Sequence, residues 1–344
     1  MSKFIIASVF IMMSSVAVAK DLVIWIAYPP GGPSGKTALE LQKIITPYID
    51  ANISIKSVPG AGGLLGVKTW YADDDTDNIN LHLNTDRMFV GTYVAKEVPS
   101  DFADKIKPIA NLGKTAYIVH GSNALGITNL KDIDNAGKDT VTLGVQGKGT
   151  PTHVFALGIV KNLKEKYNIK TKINIVIYPG GAKLINDIAG GHVDLGIVYP
   201  SSSKSFIDKG MTTAVAISAP INGISAPTFA DLGFDGILTH TNFGIFARDY
   251  VPAGDLEEVR IAIEKGFDDP AVKLAWETNL MMIGPTADTN MLTQWYNDSK
   301  SFYMELAKDP AYQDADVSKE SASVVPESSM KSVEQKKQWF EFWK

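Results

Sequence analysis

Residues 24–39 read IWIAYPPGGPSGKTAL: an apolar run, a turn of Pro and Gly closing on Gly-Lys-Thr, then the start of an amphipathic pattern. The ending invites a P-loop reading, in which Gly, four residues and Gly-Lys-Ser/Thr wrap backbone N–H groups around a phosphate. Counting back from Gly35-Lys36-Thr37 sets Pro30 where the first glycine is needed, with Gly31 one residue too near. The register fails by one. What is left is a strand, a glycine turn and a helix, on which Ala38, Leu41, Ile44 or Ile45 and Tyr48 recur at helical spacing. That is the opening unit of an α/β fold with a parallel sheet.

Upstream, Met1-Ser2-Lys3 supplies a positive start, residues 4–16 are apolar or small, and Ala17-Val18-Ala19 fits a cleavage site. The pattern predicts a signal peptide over 1–19, cut after Ala19, and hence a periplasmic protein. Export also removes the ATP supply that a P-loop needs. The 344 residues include no Cys, so disulfides and a lipid-anchored Cys are excluded. Thirty-three basic against 38 acidic residues, net −5, form no basic run suited to nucleic acid.

Downstream, the strand and helix patterns alternate. Ile53 to Val58 and Ile79 to Leu83 read as strands, the second alternating with Asn80, His82 and Asn84. Val141 to Val145, a helix from Thr150 to Leu163, Ile173 to Ile177, a helix around 182–189, Val193 to Val198 and Ala214 to Ile217 repeat the theme. Phe243 to Phe246 is apolar, and helices follow over 256–265 and 270–277. Two α/β units joined by two extended crossings, near Ile118 to Ser122 and Thr239 to Gly244, account for this order. The expected division is 20–122 with 244–316, 123–243, and a C-terminal extension over 317–344 whose Trp339, Phe340, Phe342 and Trp343 suit docking on the body.

Three turns share one design, in which a strand ends, glycines follow and a helix begins: YPPGGPSGKT (28–37), GKGTPTH (147–153) and YPGGAK (178–183). Thr150 is a natural N-cap with Pro151 at the first helical position, and Ser34 can cap the first helix. Free N–H groups and the helix dipole at such turns make an anion site. Tyr178 and Gly180 belong to the third turn, and Tyr199 stands just beyond the strand ending at Val198. NTDRMF (84–89) brings Thr85, Asp86 and Arg87 to the strand end where doubly wound sheets hold ligands.

VIWIAYPPGGPSGKTALELQKII, SVPGAGGLLGV, LGVQGKGTPTHVFALGIVKNL, VIYPGGAKLINDIAGGHVDLGIV and FGIFARDYVPAGDLEEV, in this order, resemble the solute receptors of tripartite tricarboxylate transporters, the Bug group. The resemblance runs from about Leu22 to about Pro310. It implies a type II periplasmic-binding-protein fold, with two doubly wound α/β domains closing by a hinge on a small organic acid. It also implies delivery to a membrane permease, no catalysis and no cofactor. Carried over as ligand-binding positions are Tyr28, Pro30, Gly31, Gly32 and Ser34 from the first turn, and Gly149, Thr150 and His153 from the second.

Two departures bear on the ligand. Where the family's first turn often continues to Asp, this chain has Gly35; the frequent Asp after Gly191-His192-Val193-Asp194 falls near Val198. A ligand ammonium would then lack a partner, apart from Asp86. The expected ligand is a dicarboxylate without an amine, its second end taken by Arg87 through the planar guanidinium fork. A monomer is expected. The rival readings are a serine hydrolase or acyltransferase built on Ser201 and Lys204, a Ser-x-x-Lys pair repeated at Ser328 to Lys331, and a sensor for a histidine kinase. Five scattered His (82, 120, 153, 192, 240) suggest no metal.

Overall fold

Strand β1 (Leu22–Ile26) lies in the middle of a parallel trio, with β2 (Ile53–Ser57) on one side and β3 (Ile79–Thr85) on the other. The near-continuous apolar run of β1 is explained by burial on both faces. Leu22, Ile24 and Ile26 meet Ala38, Leu41 and Ile45 of α1 (Pro33–Ile45), while Trp25 faces a second cluster holding Val67 and Trp70 of α2 (Leu64–Tyr71). The alternation along β3 suggests a half-exposed strand, yet all seven residues are buried. Its polar face is covered instead: Asn80 Oδ1 accepts from Trp25 Nε1 at 2.8 Å, and the His82 ring packs edge-on against that of Trp70, centroids 5.0 Å apart.

The computed structural model describes residues 20–280 and 285–315. The expected signal peptide, the 317–344 extension and Ser328 to Lys331 lie outside them. After β3, α3 (Arg87–Phe89) runs on into a π-helical segment, Val90–Val94, and β4 (Ile106–Thr115) follows. The chain then leaves this sheet. Strand β5 (Ile118–Ser122), which the sequence reading kept as a crossing of the first unit, is hydrogen-bonded into a second sheet. There β6 (Thr140–Val145) pairs in parallel with β7 (Lys172–Ile177) and β8 (Leu195–Val198), and β5 runs antiparallel between β8 and β9 (Thr212–Ile217), which has the direction of the other three. Helices α4 (Pro151–Tyr167), α5 (Gly181–Ala189) and α6 (Pro200–Asp208) connect these strands. Strand β10 (Thr241–Arg248) returns to the first sheet, followed by α7 (Ala253–Phe267), α8 (Pro270–Leu280) and α9 (Thr289–Leu306).

The sheet orders are β2-β1-β3-β10-β4 and β7-β6-β8-β5-β9. Each is doubly wound with one strand inserted antiparallel, so the two sheets are joined by two crossings, one between Thr115 and Ile118 and one between Ile217 and Thr241. Ser218 clips these crossings together. Its Oγ accepts from Tyr117 N at 2.8 Å and donates to Thr239 O at 2.5 Å. Open α/β sheets leave a crevice at the carboxyl ends of their strands, and here the two crevices face one another.

Candidate functional site

Between the sheets lies a cavity of about 350 Å³, within the usual range for a small-molecule site. Its wall is built almost wholly from strand ends. The β1–α1 turn contributes Tyr28, Gly31, Gly32 and Ser34; β3 ends on Thr85; and Phe243 of β10 lies opposite Thr85 in register. From the second sheet come Gln146, Thr150 and Thr152 after β6, Pro179 to Lys183 after β7, and Tyr199 after β8.

Three helices, α1, α4 and α5, begin at this wall. An α-helix leaves its first N–H groups without intrahelical acceptors, which concentrates partial positive charge there. None of the three carries an acidic residue in its first turn, so nothing on the helix itself neutralises that charge. Thr150 is the N-cap of α4, its Oγ1 accepting from His153 N and donating to Gly147 O at 2.8 Å. In α1 the cap is Gly32, not Ser34. Gly32 N donates to Pro29 O at 3.0 Å, Pro33 takes the first helical position, and Ser34, 4% exposed, lines the cavity from inside the helix. The third turn ends in Gly180, which caps α5 with no side chain.

The departure at Gly35 has a steric cause. A Cβ there would stand 1.9 Å from Pro30 O, because the double-proline turn folds back over the helix start. An Asp cannot occupy position 35 while this turn keeps its shape. Lys36, the P-loop-like lysine, donates to Ser201 O at 3.3 Å, and Thr37 Oγ1 donates to Pro33 O within its own helix. Neither residue lines the cavity.

Tyr28, Gly31, Gly32, Ser34, Thr85, Thr150, Gly180 and Tyr199 are thus brought together, and six other sequence candidates are not among the lining residues. Pro30 is exposed on the outside of its turn. Gly149 N donates to His153 Nδ1 at 3.2 Å, so this histidine braces the turn. Tyr178 donates to Asp187. Asp86 accepts from Asn242 N, Asn242 Nδ2 and Thr241 Oγ1. Arg87 is the main correction: its Nη2 forms an ion pair with Glu97, the two side chains 2% and 3% exposed, and its Nε donates to Gly62 O at 2.9 Å. Its fork is already filled by protein groups.

Sequence reasoning passed over Lys183, the only charged side chain among the lining residues, although it ends a turn that had been singled out. Its Nζ lies 2.9 Å from Asp187 Oδ2 and its side chain is 63% exposed. Phe243 and Gln146 carried no local signal; they arrive through β10 pairing and a hydrogen bond from Gln146 Nε2 to Ile197 O. Ser201 and Lys204 do not form a nucleophile and base, since the Lys204 ammonium is held by both Asp208 oxygens at 2.7 and 2.8 Å. Among the described residues no group of three or more His, Asp or Glu is placed to hold a metal, and no helix is long and apolar enough to cross a membrane.

Two doubly wound lobes with a ligand-sized cleft between them define a solute-binding protein of the type II periplasmic class. Comparison with known proteins carries this further. The tripartite tricarboxylate transporter family receptor, TctC, matches residues 39–299, and the chain belongs to that family. Its members are periplasmic solute-binding receptors, not enzymes, and work with membrane transporter components. Protein BugT of Bordetella pertussis is 21% identical over 239 residues, which is 67% of this chain and 71% of BugT. MatC from Rhodopseudomonas palustris with bound malate superposes with a TM-score of 0.70 at 16% identity, covering 84% of this chain and 99% of MatC. A second R. palustris protein, with adipate, has a TM-score of 0.71 at 16% identity, covering 84% of this chain and 96% of that one.

Proposed function

We propose that this receptor captures a small organic acid by its carboxylate at the starts of α1, α4 and α5, as a monomer, and presents it to the membrane permease of a tripartite tricarboxylate transporter. The observation that carries the reading is the convergence of three helix N-termini, none with an acidic first turn, on one cavity between the sheets. Malate and adipate in the two R. palustris relatives agree with a carboxylate ligand. The two sheets with their helices serve as the closing domains, and the crossings clipped by Ser218 serve as the hinge.

The test is a substitution that leaves the helix content but reverses the local field. Ala182→Asp puts a carboxylate in the first turn of α5, where it stabilises a helix by about 0.3–1 kcal/mol. Thermal stability should hold or rise, while calorimetry finds binding of any carboxylate weakened at least tenfold. A variant that binds organic acids as the parent does overturns the anion site.

A further inference from the structure

The buried ion pair of Arg87 and Glu97 stands outside the cavity wall, yet it touches the residues that build that wall in both lobes. Within the first lobe Arg87 N donates to Thr85 Oγ1 at 3.3 Å, and Arg87 Nε and Tyr28 Oη both donate to Gly62 O, at 2.9 and 3.1 Å. A carbonyl oxygen has two lone pairs, so Gly62 O is fully taken by these two donors. Thr85 and Tyr28 line the cavity. Glu97 is fixed in turn through its own N–H, which donates to Gly91 O at 2.8 Å.

The second lobe closes over the same pair. A Cβ on Gly149, at φ +64°, would stand 2.9 Å from Glu97 Oε1 and 2.8 Å from Ala95 Cβ. One on Gly62, at φ +61°, would stand 3.1 Å from Lys148 O and 3.3 Å from Thr150 Cγ2. Approaches this close need glycine on the facing turn. The Glu97 carboxylate is therefore covered by the turn that carries Thr150, the cap of α4. A buried pair resists loss of either member, because the charge left behind is dry and unpaired. Its geometry is thus stiff at the place where the two lobes meet.

We infer that Arg87 and Glu97 are positioning residues for the cleft: one ion pair holds Tyr28 and Thr85 in the first lobe and seats residues 147–150 of the second, without touching the ligand. The seat does not depend on which acid binds, so the ligand-free full chain tests it, by hydrogen exchange read segment by segment. Glu97→Gln and Arg87→Lys should speed exchange roughly fivefold or more in residues 60–65 and, across the lobe boundary, in 147–153. Residues 180–186, at the start of α5 on the same cavity, should exchange as in the parent. Gly149→Ala perturbs the seat from the opposite lobe and should speed exchange in 60–65 and 91–97. Gly137→Ala, at φ +67° with nothing within 4 Å of the added Cβ, should not. Unchanged exchange in 147–153 overturns the inference and leaves the pair internal to one lobe. Acceleration spread evenly over all segments, 180–186 included, overturns it equally and makes the pair a general support of the fold. If neither pair variant folds, the response of 60–65 to Gly149→Ala against Gly137→Ala decides alone, and equal responses overturn the seat.

Discussion

Asp86 shows how one residue can stand beside a cleft and still belong to the fold. It follows β3 directly, is 2% exposed, and ties the first strand after the second crossing through Asn242 and Thr241. Burial pushes its carboxyl up to about 6, against the opposing effect of the Asn242 and Thr241 hydrogen bonds. The sign follows from linkage. Between pH 4 and 6 the native state keeps a proton that the unfolded chain has released, so this group's contribution to stability falls as pH rises through that window and is constant above it. Asp86→Asn removes the effect. Urea denaturation of parent and variant at pH 4 and pH 7 should give a stability difference that shifts in the variant's favour by roughly 2–3 kcal/mol. A difference that does not change with pH would show that the carboxylate is ionised throughout and fully compensated by its donors.

At the scale of elements, the turn after β6 does more than cap a helix. Gly147, at φ +98°, faces Gly62 of the β2–α2 connection so closely that a Cβ would stand 2.9 Å from Gly62 Cα. Gly126, at φ +72°, has the same left-handed backbone and open space around it. The pair separates two costs. Gly126→Ala pays only the left-handed strain, about 1–2 kcal/mol. Gly147→Ala adds the clash between the two turns and should lose about 1–3 kcal/mol more in urea denaturation. Equal losses in the two variants would mean that the turns separate freely. The same turn illustrates what was legible beforehand: Thr150 as N-cap and Pro151 at the first helical position follow from residue type alone. Ser34 misled because a hydroxyl after a proline resembles a cap, whereas the preceding Gly32 already holds that position.

Across the whole molecule the two lobes are tied at more than the crossings. Segment Pro310–Ala315 packs on α4 of the second sheet, with Lys161 Nζ 2.6 Å from Asp309 and Tyr312 Oη donating to Gly236 O at 3.2 Å. On the other side Lys36 reaches Ser201 O. Closure around ligand is therefore expected as a small rotation about the Ser218 clip, not a wide swing. Solution scattering of the chain saturated with a small organic acid that calorimetry shows it to bind should give a smaller radius of gyration than the free chain. An unchanged radius would remove the hinge and leave a preformed, rigid cleft.

Strand ends followed by Pro, Gly and a hydroxyl announce themselves locally, since backbone dihedrals and helix capping depend on neighbours in the chain. This is why the three βα turns, the α/β class and the family resemblance could be read from residues 22–310 without coordinates. The partner of Arg87 could not. Glu97 lies beyond a π-helical turn, and whether a buried guanidinium meets a protein carboxylate or a ligand depends on which groups the packed chain brings within reach. The antiparallel insertion of β5 and β10, and with it the placing of Phe243 opposite Thr85, depends likewise on pairing between strands far apart in sequence. Charge compensation and long-range pairing are properties of the assembled interior, and they took Arg87 out of the cleft and put Phe243 into its wall.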